Sequence, residues 1–114
     1  MATDIKASVK QVQISAQKVR LVIDMIRGKD VVAALDQLQF VEPLASKPVY
    51  KVVRSAMINA EENFSISRKD LYIHKIFADE GRTRKWRRFG ARGRFKPWLR
   101  RSSHITVILR EREN

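Results

Sequence analysis

The stretch Gly81-Arg82-Thr83-Arg84-Lys85-Trp86-Arg87-Arg88-Phe89-Gly90-Ala91-Arg92-Gly93-Arg94-Phe95-Lys96-Pro97-Trp98-Leu99-Arg100-Arg101 carries ten basic residues and no acidic one. The whole chain has 114 residues, 24 of them Lys or Arg and 12 Asp or Glu, for a formal net charge of +12. With those ten charges set aside, the other residues sum to +2. A nearly neutral body therefore bears one strongly cationic insertion. Runs rich in β-branched and apolar residues flank it, at 71–78 and at 104–109. Two strands joined by such a segment predict an extended hairpin over about 81–101. A long loop inside a compact domain is usually functional or disordered. Attachment at both ends and four large aromatics, Trp86, Phe89, Phe95 and Trp98, argue against a disordered tail. The segment calls for an anionic partner.

Outward from the insertion, the N-terminal part reads as strand, then three helices. Residues 5–14 alternate imperfectly, with Ala7 and Val9 on one phase and Val12 and Ile14 on the other, which predicts a bulge near Lys10-Gln11. Ser15 is an N-cap candidate. Val19, Val22, Ile23 and Ile26 follow at helical spacing, Gly28 supplies a left-handed residue after them, and Lys18, Arg20 and Arg27 occupy the opposite face. Asp30 is the next N-cap candidate, before the stripe Val31, Ala34, Leu35 and Leu38. Glu42-Pro43 ends that helix. Val49, Val52, Val53, Ala56 and Ala60 form the third stripe, which begins near Ser46, or near Pro43 with a kink at Pro48. Residues 64–69 are polar enough for a loop. Residues 71–77 predict a strand that Asp79-Glu80-Gly81 terminates. Ile105, Val107 and Leu109 alternate as a half-buried strand, and 110–114 read as a charged tail. The sum is a single domain over 1–114 of α+β class: a small three-stranded antiparallel sheet packed on three helices, with the basic hairpin as an extension.

The composition narrows the chemistry. A pI near 10.8 points to nucleic acid or an anionic surface. Gly90, Gly93 and Pro97 disfavour the amphipathic helix that an interfacial membrane binder needs, and no apolar run approaches spanning length, so no membrane partner is expected. There is no cysteine, hence no disulfide and no thiolate metal site. The N-terminal residues lack the pattern of a secretory signal. Enzyme activity fails for want of parts. His74 lies within a strand, and Ser103 beside His104 does not make a catalytic pair because strand neighbours point to opposite faces. His104 reads instead as a residue at the base of the hairpin, bonded to nearby backbone or RNA. The pair Asp79-Glu80 reads as a salt link to hairpin arginines rather than a metal site, and no cofactor is called for.

Within the insertion arginine outnumbers lysine eight to two. Guanidinium groups contact phosphate bidentately and stack on bases, which ammonium does not. Trp and Phe stack on unpaired bases, worth about 1–3 kcal/mol each in single-strand binders. That mixture favours folded RNA, whose loops expose bases. The candidate RNA-binding residues are Arg82, Arg84, Lys85, Trp86, Arg87, Arg88, Phe89, Arg92, Arg94, Lys96, Trp98, Arg100, Arg101 and His104. To these the globular part adds Lys10, Lys18, Arg20 and Arg27. An architectural DNA-binding protein with a basic β-ribbon arm is the alternative, since such arms insert apolar wedges into a groove.

Several stretches then carry a resemblance: Ser15-Ala16-Gln17-Lys18-Val19-Arg20-Leu21-Val22, Ile26-Arg27-Gly28-Lys29, Asn59-Ala60-Glu61, Lys75-Ile76-Phe77 with Asp79-Glu80-Gly81, Ala91-Arg92-Gly93-Arg94, and Ser103-His104-Ile105-Thr106-Val107. In this order and spacing they resemble the bacterial-type large-subunit ribosomal protein L-twenty-two family over nearly the whole chain. Phe89-Gly90, where many members have proline, and Pro97-Trp98 depart from the family pattern. The resemblance implies an α+β domain on the large subunit near the polypeptide exit and a hairpin running inward along large-subunit rRNA to line the exit tunnel. It also implies neighbouring ribosomal proteins, L-four among them, and the nascent polypeptide as partners, a ribosomal location in a bacterial cytoplasm or a plastid, and no catalysis.

Overall fold

The computed structural model describes residues 4–41, 45–82, 84–89 and 95–112, the hairpin strands at 84–89 and 95–100 by their backbone alone. In chain order the elements are β1 (Ile5–Val12), α1 (Ala16–Ile26), α2 (Val31–Gln39), α3 (Ser46–Phe64), a 3-10 turn (Arg68–Asp70), β2 (Leu71–Glu80), β3 (Arg84–Phe89), β4 (Phe95–Arg100) and β5 (Ser103–Glu111). Strands β1, β5 and β2 form an antiparallel sheet in that order, and β3 pairs with β4 in a separate two-stranded ribbon. The α+β expectation holds.

The three helices cover one face of the sheet. Val19, Val22, Ile23 and Ile26 of α1, Val31, Ala34, Leu35 and Leu38 of α2, and Val49, Val52, Val53, Ala56 and Ala60 of α3 are all buried. They meet Ile5 of β1, Leu71, Ile73, Ile76 and Ala78 of β2, and Ile105, Val107 and Leu109 of β5 in one core cluster. These are the stripes read at periods of 3.6 and 2, so apolar periodicity positions every helix.

The local devices are partly as read. The pairing of β1 with β5 shifts between Val9 and Val12, and Gln11 has φ 57, so the bulge is where the broken alternation placed it. Arg27 (φ −61, ψ 130) and Gly28 (φ 80), closed by Lys29 N–H to Ile26 C=O at 3.2 Å, form a type II turn that needs the glycine. The third helix starts at Ser46, which leaves Pro48 in its first turn, where no intrahelical N–H bond is lost.

Four local expectations are corrected. Ser15 and Asp30 stand at the N-cap positions, but neither side chain makes the capping bond; the Asp30 carboxylate is taken instead by Arg112 Nε at 2.5 Å. Phe64 belongs to α3, and Ser65 (φ 53) ends it with its own N–H and that of Ile66 both reaching Ala60 C=O, a left-handed helix end without glycine. Strand β2 continues through Glu80, because Asp79 and Glu80 still pair with His104 and Ser103. The charged tail is in part strand: Arg110 and Glu111 pair with Tyr72 and Leu71, and Arg112 lies 4.7 Å from the centre of the Tyr72 ring.

The Cα radius of gyration is 17.3 Å, against roughly 13 Å for a compact chain of this length. The principal extents are 66 × 25 × 19 Å.

Candidate nucleic-acid interface

The register of the ribbon sets Arg84 opposite Arg100, Trp86 opposite Trp98, Arg88 opposite Lys96, and Phe89 opposite Phe95. Two aromatic pairs alternate with two like-charged pairs. Aromatic pairs across a ladder contribute about 0.2–1 kcal/mol each, and like charges directly opposite oppose them. An isolated two-stranded ribbon is marginal in water to begin with. Pro97, opposite Arg87, is tolerated because both strands of a ribbon are edges and its missing N–H can face outward. The expected tip, with Arg92 and Arg94, lies outside the described residues.

The ribbon leaves the sheet at a hydrogen-bonded neck. Gly81 N–H donates to Ser102 C=O at 2.9 Å. The Ser102 hydroxyl lies 2.8 Å from Arg82 C=O and 3.0 Å from the Gln11 side-chain amide. One hydroxyl proton serves only one acceptor, so the network closes when the Gln11 amide turns its NH2 toward Ser102. Gln11 N–H donates to His104 Nδ1 at 3.1 Å, which fixes Nδ1 as the acceptor and leaves Nε2 to carry the proton. Bulge, serine and histidine thus lock the end of β1 to the start of β5. A Cβ on Gly81 would stand 2.6 Å from Ser102 Oγ and 3.2 Å from His104 Cε1, so glycine is there for space. Ser103 is fully buried and faces away from the half-buried His104, so the two form no catalytic pair.

The cations of the globular part divide into two groups. Lys10, Arg82 and Arg101 are exposed at the neck, and Lys18 is exposed on α1. Arg20 and Arg27 are also on the outer side of α1, but their guanidinium groups are committed. Arg20 donates through Nε and one Nη to Ala78 C=O at 3.0 and 2.8 Å, and Arg27 donates to Ile76 C=O at 3.1 Å. With Ile73 N–H on Lys29 C=O at 2.9 Å, these bonds satisfy the outer edge of β2. Arg27 also pairs with Asp24 at 2.6 Å. The other ion pairs among the described residues are Arg68–Glu61, Arg110–Asp4 and Arg112–Asp30, the last two at the end of the sheet away from the neck. The hydrogen bond from Arg110 holds the Asp4 carboxyl below the ordinary carboxylate range. Arg110 and Arg112 are thus neutralised at the end of the sheet away from the hairpin, while Lys10, Arg82 and Arg101 stand exposed at its neck. Of the salt link expected from Asp79-Glu80 to hairpin arginines, no ion pair to Arg82 or Arg101 is formed among the described residues, and the other hairpin arginines lie outside the described side chains.

The sequence reading passed over one cationic stripe. Lys47, Lys51 and Arg54 are exposed on α3 at helical spacing, beside an open cavity of about 390 Å³ lined by Tyr50, Lys51, Arg54, Ser55 and Ile58. The i, i+4, i+7 spacing was the available signal. Among the described residues, no cluster of His, Cys, Asp or Glu could hold a metal ion, and no helix is long and apolar enough to cross a membrane.

The sequence over residues 7–110 matches the family described as ribosomal protein L22p/L17e. Three bacterial relatives, each named large ribosomal subunit protein uL22, align over nearly full length. The chain is 50% identical to that of Dehalococcoides mccartyi strain 195 over 106 residues, covering 93% of this chain and 97% of the relative. It is 47% identical to that of Pediococcus pentosaceus over 111 residues, 97% and 94% of the two chains. It is 43% identical to that of Lacticaseibacillus casei over 111 residues, 97% and 95%.

Proposed function

Because the chain belongs to the ribosomal protein L22p/L17e family, we propose that it is a structural constituent of the large ribosomal subunit that binds 23S-type rRNA. Its globular part binds near the neck through Lys10, Lys18, Arg82 and Arg101. The ribbon enters the RNA as an extended arm and lines the polypeptide exit tunnel beside neighbouring ribosomal proteins, where the nascent chain passes. The observation that carries this reading is the ribbon's register, with Arg84 facing Arg100 and Arg88 facing Lys96. Pairs of like charge held directly opposite are relieved by phosphate, and RNA supplies phosphate on both sides of an inserted arm.

Arg20 and Arg27 contribute differently from the other cations. They hold α1 against β2, and so support the surface that presents Lys18. No catalytic step is assigned to the chain.

The test is cosedimentation. A tagged chain expressed in a bacterium should travel with the large subunit in a lysate prepared without nuclease. It should be released from that fraction by ribonuclease and not by deoxyribonuclease. Release by deoxyribonuclease would favour the architectural DNA-binding alternative and overturn the ribosomal one.

A further inference from the structure

The helices cover one face of the sheet; the other is open. Alternation along the strands places Lys6, Ser8 and Lys10 of β1, His104, Thr106, Ile108 and Arg110 of β5, and Tyr72 and His74 of β2 on that open face, and the register shift between Ile73 and Lys75 brings Lys75, Phe77 and Asp79 onto it as well. The register arranges them in rows. Ser8, Thr106 and Phe77 form one row, and Lys6, Ile108 and Lys75 form the next. Phe77 keeps 39% of its surface exposed. Single exposed apolar residues are ordinary on protein surfaces. This one sits beside a row with an exposed lysine at each end, and among the described residues neither Lys6 nor Lys75 is in an ion pair. The acidic groups on the face flank that row: Asp4 is held by Arg110 and also feels the charge of Lys75, and Asp79 lies opposite His104 toward the neck.

We infer that this open face is a platform for an unpaired nucleotide of rRNA, with a base stacked on Phe77 and flanking phosphates on Lys6 and Lys75. Aromatic rings on an open sheet with cations around them are how proteins hold single-stranded RNA without a groove. Spacing supports the assignment. Adjacent strands are about 4.8 Å apart, so Lys6 and Lys75 span about 10 Å across β5, within reach of two phosphates of one short segment. Asp79, on the neck side of Phe77, repels phosphate and can accept from an exocyclic amino group. The strand therefore runs along the Lys6–Lys75 row. The inference rests on the rRNA-binding reading but concerns the face of the three-stranded sheet, not the ribbon.

The full-length chain is titrated onto deproteinised large-subunit rRNA at several salt concentrations. Phe77→Ala should weaken binding about tenfold at fixed salt, from the lower part of the stacking range, and leave the log–log salt slope unchanged. Lys6→Ala combined with Lys75→Ala should reduce the magnitude of the slope by about 1.4, at about 0.7 for each phosphate on a single strand. Phe77→Tyr should restore binding, and Phe77→Leu, which keeps apolar bulk without a π face, should not. Because Phe77 is outside the core, melting temperatures of the variants should match the parent; should Phe77→Ala melt lower, the Tyr and Leu variants carry the comparison. Parent-like binding by both Phe77→Leu and the double lysine variant, while the parent binds rRNA, would overturn the platform and leave the ribbon as the RNA contact. Failure of the parent to bind rRNA would overturn the functional reading along with it. In assembled subunits, Lys6 and Lys75 should resist amine acylation until ribonuclease is added; protection that survives ribonuclease would assign the face to a protein and reject the inference.

Discussion

Arg20 and Arg27 show how one residue type serves two purposes. Both have the position and charge of solvated helix-face cations, and both are spent on carbonyls at the edge of β2. A hydrogen bond from a charged donor contributes about 1.5–3 kcal/mol when sheltered, and less here because Arg20 is exposed. Arg20→Ala should therefore cost about 1 kcal/mol and lower the melting midpoint by about 5 °C. Lys18→Ala, two residues away on the same helix with no such bond among the described residues, should leave melting unchanged within about 0.5 kcal/mol and weaken incorporation into subunits in competition with the parent. Equal melting of Arg20→Ala and parent would remove the edge-clamp role. Asp4 gives a pH prediction. Its folded pKa lies below the ordinary 3.8 because Arg110 donates to the carboxylate. Its contribution to stability is therefore full above that ordinary value and is lost as pH falls through the lower, folded one. A carbon-detected titration should place the Asp4 midpoint below 3.8 in the parent and return it upward in Arg110→Ala; identical midpoints would reject the pairing. None of these partnerships was legible in the sequence, because each joins residues far apart in the chain. Even Ser15 and Asp30, correctly placed at helix starts, do not cap there, since composition names a position and not the bond made at it.

Elements were far more legible than bonds. The apolar stripes of α1, α2 and α3 fall on buried positions because a helix presents one face every 3.6 residues, a regularity that survives any tertiary context. Ile23→Ala in the fully buried stripe of α1 should accordingly cost about 2–5 kcal/mol, measured by denaturant unfolding. The end of α3 was less legible because Ser65 takes a left-handed conformation usually given to glycine. The ribbon was readable as a hairpin from its flanking strands, but not as a sheet of its own. The two sheets join at the neck, where Gly81 and Ser102 approach too closely for a side chain at position 81. Gly81→Ala should displace the Ser102 hydroxyl from Gln11 and Arg82 and cost about 1–3 kcal/mol, as overpacking does. Amide hydrogen exchange should then accelerate at Gln11 and at the start of β5, with the helical core unchanged; parent-like exchange at Gln11 would show that the neck network does not depend on that close approach.

For the whole molecule, the separation of core from charge is the organising fact. Among the described residues the buried cluster is built by the three helices with β1, β2 and β5. Removing Arg84, Lys85 and Trp86 should thus leave melting of the domain near the parent value. An odd deletion from β3 also flips every later residue of that strand to the other face of the ribbon, so Phe89 would be presented wrongly to whatever surrounds it. Subunits carrying this variant should assemble but show altered access of chemical probes to the tunnel lumen; unaltered access would leave the ribbon as an RNA anchor only. Sequence charge made the ribbon visible at once, whereas the open sheet face around Phe77 emerged only when β1, β5 and β2 were laid side by side. The central claim is that the ribbon carries most of the electrostatic grip on rRNA. It is tested most directly by the salt dependence of rRNA binding for the intact chain and for a variant with 82–101 replaced by a short Gly-Ser turn. With half the ribbon's cations engaged, the intact chain should give a log–log slope of about −3 to −5, and the variant a slope shallower by about 3 or more. Equal slopes for the two proteins, or a slope near zero for the intact chain, would contradict the account.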